Sequence, residues 1–577
     1  MTNTRDRIPA HLRPFVVDQD YGAYDEIDQA VWRFILLQTH ARLRQTAHPA
    51  YTEGLRQTGI SVERIPRLDE MDRCLSEYGW GAVAVDGFIP PRAFQELQAM
   101  CIMAIAADIR SADHLAYTPA PDIVHESAGH APIVPDPAYR TFLQRFGAVG
   151  ARAFSCPGDR RVEAAIYALS ASKEDPAASA SQIARAEREL ADSETALDFT
   201  SEAALMSRLH WWTVEYGLVG SPERYQIYGA GLLSSLGECH FCHRPEVAKL
   251  PLSARCTLQS YDITRPQPQL YVAEDFAQLT SVLDEVASGL SQNVGGAVAL
   301  ERALASEELA TLELSTGLQI IGVLSSVRGS DEPAYLQLSG PCALARGGSI
   351  LPRHARDAHP EGYGTPLGRL EDGTALSSLS ETQIRARAAS GLALRFKSGV
   401  EVRGRLEHVL CGSDGRLLLL SLSDCRVCQA DELLFDPAWG VYDMAVGESV
   451  ASAFAGSADP AYWSPPEFSH SCRPRRTLRQ GEEAALLDLY REALELWERP
   501  DAPDLVERFE DLAEALRSTF PKRWLLRWNL LECLAKTSRG AALADRLRSE
   551  LLAIERERPD DLPISMGLRY LDEQHAG

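Results

Sequence analysis

No stretch of about 18 consecutive apolar residues occurs in the chain, so no membrane-spanning helix is expected. The opening MTNTRDRIPAHLRPF lacks the apolar core of a secretory signal, which points to a cytoplasmic location. Positive charge is scarce: 58 lysines and arginines stand against 81 acids, a net charge of -23. Such a surface repels phosphate backbones and anionic lipids, which argues against nucleic-acid and membrane partners. The 12 cysteines form no disulfide-like framework and read as reduced thiols. Cys239-His240-Phe241-Cys242-His243 has the spacing of covalent haem attachment, but that attachment belongs to exported proteins. Cys425 and Cys428 lie in an alternating run and are expected as a strand pair, not a zinc or redox site.

What is present is ample core material: 577 residues, 45% hydrophobic, with a mean hydropathy of -0.19. At roughly 100–200 residues per domain, about three domains are expected. Residues 1–288 read as mostly helical. Val31, Phe34, Ile35 and Leu36 begin an amphipathic stretch, and Phe94, Leu97, Cys101, Ile105 and Ile109 recur at helical spacing. Ala171 to about Ser201 reads as a solvated helical insertion without chemistry. From 289 to 475 the pattern turns β-rich: Leu392, Leu394 and Phe396 alternate before Ser398-Gly399, and Leu417–Leu420 follows Asp414-Gly415. Residues 476–577 are helical again, with stripes at Leu505, Phe509, Leu512, Leu516 and at Trp524, Trp528, Leu531. The expected fold is therefore multidomain: a mainly α catalytic domain, a β-rich domain of unknown role, and a C-terminal helical module.

The chemistry concentrates at His125 and His130. Zincin proteases space two histidines at i and i+4 on a helix. Here the spacing is i and i+5, which places the side chains about 140° apart on an ideal helix. The zincin reading fails on that geometry, and Gly129 is a candidate for a local break. Two histidines plus one carboxylate form the facial arrangement of non-haem Fe(II) oxygenases. Glu126, Glu215 and Glu238 are the candidate acids. Glu215 stands in an aromatic and apolar helix, where a glutamate is rarely left without a partner.

PDIVHESAGH, WTVEYGL and YGAGLLSSLGE resemble signature blocks of the pterin-dependent aromatic amino acid hydroxylases. The similarity runs from about Trp32, through YTPAPD at 117–122, to YVAEDF at 271–276. The resemblance implies that His125, His130 and Glu215 are the iron ligands. It places Arg110 on the substrate carboxylate, a task suited to a planar guanidinium. Thr118 and Ser234 fall at substrate-contacting positions, and Trp211 falls beside the substrate ring. Glu126 matches a residue near the pterin, and Phe94 an aromatic that stacks on it. Tyr261, Asp262 and Ile263 align with the specificity segment, and an apolar Ile263 favours phenylalanine over tyrosine.

The implied cofactors are Fe(II), a tetrahydropterin co-substrate and O2, with a free aromatic amino acid as substrate. The implied reaction is phenylalanine to tyrosine, with tryptophan hydroxylation or a catalytically silent binding scaffold as alternatives. The interval from His130 to Glu215 is longer than the family's. No regulatory domain is expected ahead of the catalytic region, and residues 289–577 stand in place of a short coiled-coil tail. A protein partner or self-association through that half is a further expectation. A fragment ending near Ser288 is expected to fold and to keep activity.

Overall fold

The helix Glu26–Thr46 shows why the two ends of the chain meet. It starts at Asp25, whose carboxylate accepts from the backbone N–H of Ile27 and Asp28, while the Asp28 side chain accepts from Asp25 N at 3.1 Å. Its buried residues, including Val31, Trp32, Phe34, Ile35 and Leu43, cover most of the circumference, while a strip at Gln29, Arg33, Leu37, His40 and Arg44 is half-buried or exposed. A helix so widely apolar packs against neighbours on several sides. One side meets the helix Ala230–Ser234, and others meet Glu482–Trp497, Leu525–Thr537 and Leu562–Ala576. The Phe34 ring packs edge-on at 5.1 Å from Trp524 and 4.7 Å from Trp528. Arg33 and Glu532 form an ion pair across the same seam, with Nη2 at 2.8 Å from Oε1. The C-terminal helices therefore share one hydrophobic core with the first 288 residues and do not enclose one of their own. These features come from a computed structural model, which describes residues 4–87, 89–115, 121–174, 178–263, 265–329, 332–463, 479–537, 539–557 and 562–576.

The first half carries two small sheets among its helices. β1 (Val16–Val17), β2 (Gly81–Val85) and β3 (Ile102–Ala106) lie in that order, with β2 and β3 parallel. The helix expected over Phe94–Ile109 is thus corrected: it spans Pro91–Ala99 and stops. Cys101 then takes φ 58, and the chain enters β3, buried on both faces. A short, wholly apolar run reads alike as buried helix and as buried parallel strand, and here neighbouring β2 decides. β4 (Leu218–Ser221), β5 (Arg224–Ile227), β6 (Ala248–Pro251) and β7 (Gln269–Ala273) form the second sheet, in the order β5-β4-β7-β6. Helices Pro157–Glu174 and Ala180–Thr195 form a hairpin that begins well ahead of the insertion expected from Ala171 to Ser201, with a small core of their own at Ala165, Leu169, Ala186 and Leu190.

The β-rich region follows helices Ser291–Val294 and Gly296–Ser306. β8 (Leu309–Leu314), β9 (Leu318–Arg328), β10 (Tyr335–Arg346), β11 (Ser349–Ile350) and β12 (Gly362–Pro366) belong to one sheet. β13 (Leu392–Arg395), β14 (Val400–Cys411), β15 (Leu417–Gln429), β16 (Glu432–Phe435) and β17 (Tyr442–Ala445) form another. β18 (Val450–Ala455) returns to pair with β8. The turns at Gly399 and Gly415 have φ 80 and 78, the left-handed values that suit glycine in hairpin connections. Cys425 and Cys428 both lie on β15, three residues apart, so the pleat turns them to opposite faces and no ion bridges them. Among the described residues no helix is long and apolar enough to cross a membrane.

Candidate metal and substrate site

Two widened helical turns build the centre. Val124–His130 and Trp211–Glu215 are π-helical, closed by i→i+5 hydrogen bonds. In such a turn, residues five apart come into line, which brings His125 and His130 to one face without a glycine break. Gly129 has a different role. A Cβ there would stand 2.8 Å from the Ala230 carbonyl oxygen, so glycine lets this turn seat on the helix Ala230–Ser234. Asp122 anchors the turn's entry, its Oδ1 accepting from His125 N at 3.0 Å.

Three donor side chains converge there. His125 Nε2 and His130 Nε2 are 3.1 Å apart, and Glu215 faces them with both oxygens, Oε2 at 3.3 Å from His125 Nε2 and Oε1 at 3.3 Å from His130 Nε2. Donors about 2.1 Å from one ion stand about 3.0 Å apart at right angles and about 3.4 Å apart in a tetrahedron. The set therefore fits one metal ion with three protein ligands, and the donor types suit non-haem iron. Burial would raise the Glu215 carboxyl, but the two facing histidines outweigh it and hold it well below its ordinary value. Ser234 settles the His125 tautomer. Its hydroxyl donates to Ala230 O at 2.7 Å, so its oxygen accepts from His125 Nδ1–H at 3.0 Å and leaves Nε2 free to coordinate.

Of the three acids left open by the sequence, only Glu215 joins the cluster. Glu126 is buried, its Oε2 4.0 Å from His130 Nε2 and without a hydrogen bond, and burial raises its carboxyl to about 8. Glu238 is also pushed up by burial, to about 7, although Tyr216 hydrogen-bonds to it. Two residues in or beside the quoted motifs, His210 and Asp122, went unremarked in the sequence. His210 is buried with Nδ1 3.7 Å from Glu215 Oε1, and burial lowers it to about 4. Asp122 takes both Arg110 Nε and Nη2 at 2.8 Å. Burial would raise Asp122, but Arg110 and the hydrogen bonds more than offset this. Its position three residues before His125, the spacing of a helix-entry acceptor, was the available signal.

Arg110, Phe94, Glu126, Trp211 and Ser234 line one cleft of about 2810 Å³ with the three donors. Arg110 Nη1 is buried and has no hydrogen-bond partner among the described residues, a spare donor next to the bidentate pair. Trp211 is stacked between Tyr261 at 4.3 Å and Tyr216 at 4.6 Å, forming a flat aromatic wall. Phe94 is half-buried, its ring 6.2 Å from that of His210. Ser234 touches His125 directly, and Thr118 lies outside the described residues. The cleft's outer walls come from elsewhere: Ile166, Tyr167 and Phe199 from the hairpin and its exit, and Phe454 and Trp463 from the β-rich region. Cys239 and Cys242, the haem-like pair, are buried thiols that donate to the carbonyls of Leu236 and Cys239.

A family model described as biopterin-dependent aromatic amino acid hydroxylase matches residues 20–158 and 195–298. The unmatched gap coincides with the hairpin. Phenylalanine-4-hydroxylase of Pseudomonas aeruginosa is 30% identical over 272 residues, covering 46% of this chain and 86% of that protein. The Mesorhizobium japonicum protein of the same name is 27% identical over 271 residues, with 46% and 81% covered. A Chromobacterium violaceum phenylalanine hydroxylase crystal structure with bound iron(III) and oxidised 7,8-dihydrobiopterin aligns at 24% identity and a TM-score of 0.38, over 48% of this chain and 86% of that one.

Proposed function

Since this chain belongs to the biopterin-dependent aromatic amino acid hydroxylase family, we propose that it is a non-haem Fe(II), tetrahydropterin-dependent monooxygenase converting phenylalanine to tyrosine. The observation that carries this reading is the convergence of His125, His130 and Glu215 at 3.1–3.3 Å. Iron held there keeps coordination positions open and, with a reduced pterin, supplies the activation of O2.

The chain's own residues bind and orient. Arg110 offers Nη1 to the substrate carboxylate while Asp122 fixes the guanidinium plane. Trp211, its two faces covered by Tyr216 and Tyr261, turns the edge of that aromatic stack to the substrate ring, and Ile263, also in the cleft, keeps that end apolar. Glu126 and Phe94 face the pterin in this reading, Glu126 in its neutral form as a hydrogen-bond donor. A cytoplasmic setting agrees with the free state of all described cysteines. For self-association through the C-terminal half, the support is the exposure of the apolar residues Leu433, Trp439 and Val441.

The test is product formation by iron-loaded full-length protein with reduced pterin and phenylalanine, tryptophan or tyrosine in turn. Tyrosine from phenylalanine is expected, and His130→Ala should lose both bound iron and turnover. Pterin oxidation that no amino acid stimulates, or an active iron-retaining His130→Ala, overturns the assignment.

A further inference from the structure

The β-rich region gathers a second set of donor atoms. His354 and His359 lie on the segment between β11 and β12, and Asp443 lies on β17 of the other sheet. Backbone hydrogen bonds pin that segment to β10: Leu344 N donates to His354 O, and Cys342 N to His359 O, both at 2.9 Å. His354 Nδ1 is 3.5 Å from His359 Nε2 and 3.7 Å from Asp443 Oδ2, and His359 Nε2 is 3.9 Å from that same oxygen. At 3.7 and 3.9 Å the carboxylate is hydrogen-bonded to neither ring. The three atoms instead surround a point, slightly wider than the ~3.4 Å between tetrahedral ligands of a zinc-sized ion.

The surroundings resemble those of a built ligand set. The Ser421 hydroxyl donates to Asp443 Oδ1, which leaves Oδ2 turned toward the imidazoles. The two rings are parallel within 10° at 5.7 Å, and Tyr363 packs edge-on against His359. Tyr363 is itself fixed, its hydroxyl accepting from Ala445 N at 3.0 Å. The side chains of His354, His359 and Asp443 are 12%, 10% and 15% exposed, so the cluster is largely shielded yet still reached by solvent.

We propose that His354, His359 and Asp443 bind a divalent transition metal of zinc's class, forming a staple between the two β-sheets. Two imidazoles and a carboxylate suit Zn(II) and its first-row neighbours and disfavour Mg(II) and Ca(II), which take oxygen ligands. The site is separate from the cleft and stands whether or not the hydroxylase reading does.

The experiment uses full-length protein stripped with a chelator and titrated with Zn(II) alone, then with Co(II) alone to read coordination from its visible absorption. His130→Ala removes a ligand of the first cluster. On that background one equivalent of zinc should still bind and should raise the thermal midpoint. Adding His354→Ala and His359→Ala should abolish that equivalent. Asp443→Asn keeps the side chain's size and an acceptor for Ser421, and should weaken zinc at least tenfold. If a histidine variant fails to fold, Asp443→Asn decides alone: unchanged zinc affinity there overturns the proposal. A folded His130→Ala protein that takes up no zinc, or whose uptake survives loss of both histidines, overturns it equally.

Discussion

Ser234 holds His125 through one contact, and that contact selects the nitrogen that faces the cluster. Partners of this kind commonly contribute about 10–100-fold in metal affinity. Ser234→Ala should weaken Fe(II) binding by about that factor, and Ser234→Thr should restore most of it. An unchanged iron isotherm would leave the hydroxyl serving only the Ala230 carbonyl. Arg110 presents a different balance, with two nitrogens spent on Asp122 and one spare. Arg110→Ala should raise the Michaelis constant for the amino acid tens-fold or more, since losing one partner of a buried charged contact costs about 2–5 kcal/mol and each ~1.4 kcal/mol is tenfold. It also leaves Asp122 buried and unpaired, which costs stability, so Arg110→Lys is the cleaner variant. One ammonium cannot serve two carboxylates in bidentate fashion, and only partial recovery is expected. Steady-state kinetics with an unchanged amino-acid dependence would remove Arg110 from the substrate. At this scale the histidines were legible because metal ligands come in close pairs. His210 and Asp122 were not, because their importance lies in contacts with Glu215 and Arg110, which sequence order does not display.

Elements were legible where glycine or alternation marks them, as in the hairpins at Gly399 and Gly415. They were obscure where two geometries share one pattern, as for β3, and where the helical period itself changes. An i→i+5 turn has no sequence period of its own, so the 140° objection to His125 and His130 dissolved only in three dimensions. The Pro157–Thr195 hairpin shows a third limit. Its sequence is that of a solvated helix pair, yet its base and first helix, from Asp159 to Ser170, wall the cleft. Its two ends meet, since a Cβ on Gly158 would stand 2.7 Å from Leu197 Cδ2, so a short linker can replace it. Its small separate core indicates that excision leaves the main core intact. The excised protein should fold and keep its iron, while the Michaelis constant for the amino acid or its selectivity among aromatic substrates shifts. Loss of iron on excision would show instead that the hairpin supports the ligand-bearing turns.

At the scale of the whole molecule, the apolar stripes of the last hundred residues were readable as helices, but their partner was not. Trp524, Trp528 and Phe34 are nearly five hundred residues apart in sequence and touch in space. The same seam carries the Arg33–Glu532 pair, with Glu532 2% exposed. A fragment ending near Ser288 would uncover Phe34 and strand Arg33, so it is now expected to aggregate or unfold where the sequence alone suggested a free-standing unit. Trp528→Ala separates the two views without truncation. A buried tryptophan cut to alanine costs about 3–5 kcal/mol. If the C-terminal helices were an independent module, that loss would appear as a transition of their own, and iron retention on heating would not change. With one shared core, the loss falls on the unit that holds His125, His130 and Glu215. Thermal scans that follow iron release and near-ultraviolet dichroism together should then shift to lower temperature in step. Iron release that stays at the wild-type temperature while the dichroic transition moves would show that the two ends of the chain are energetically separate.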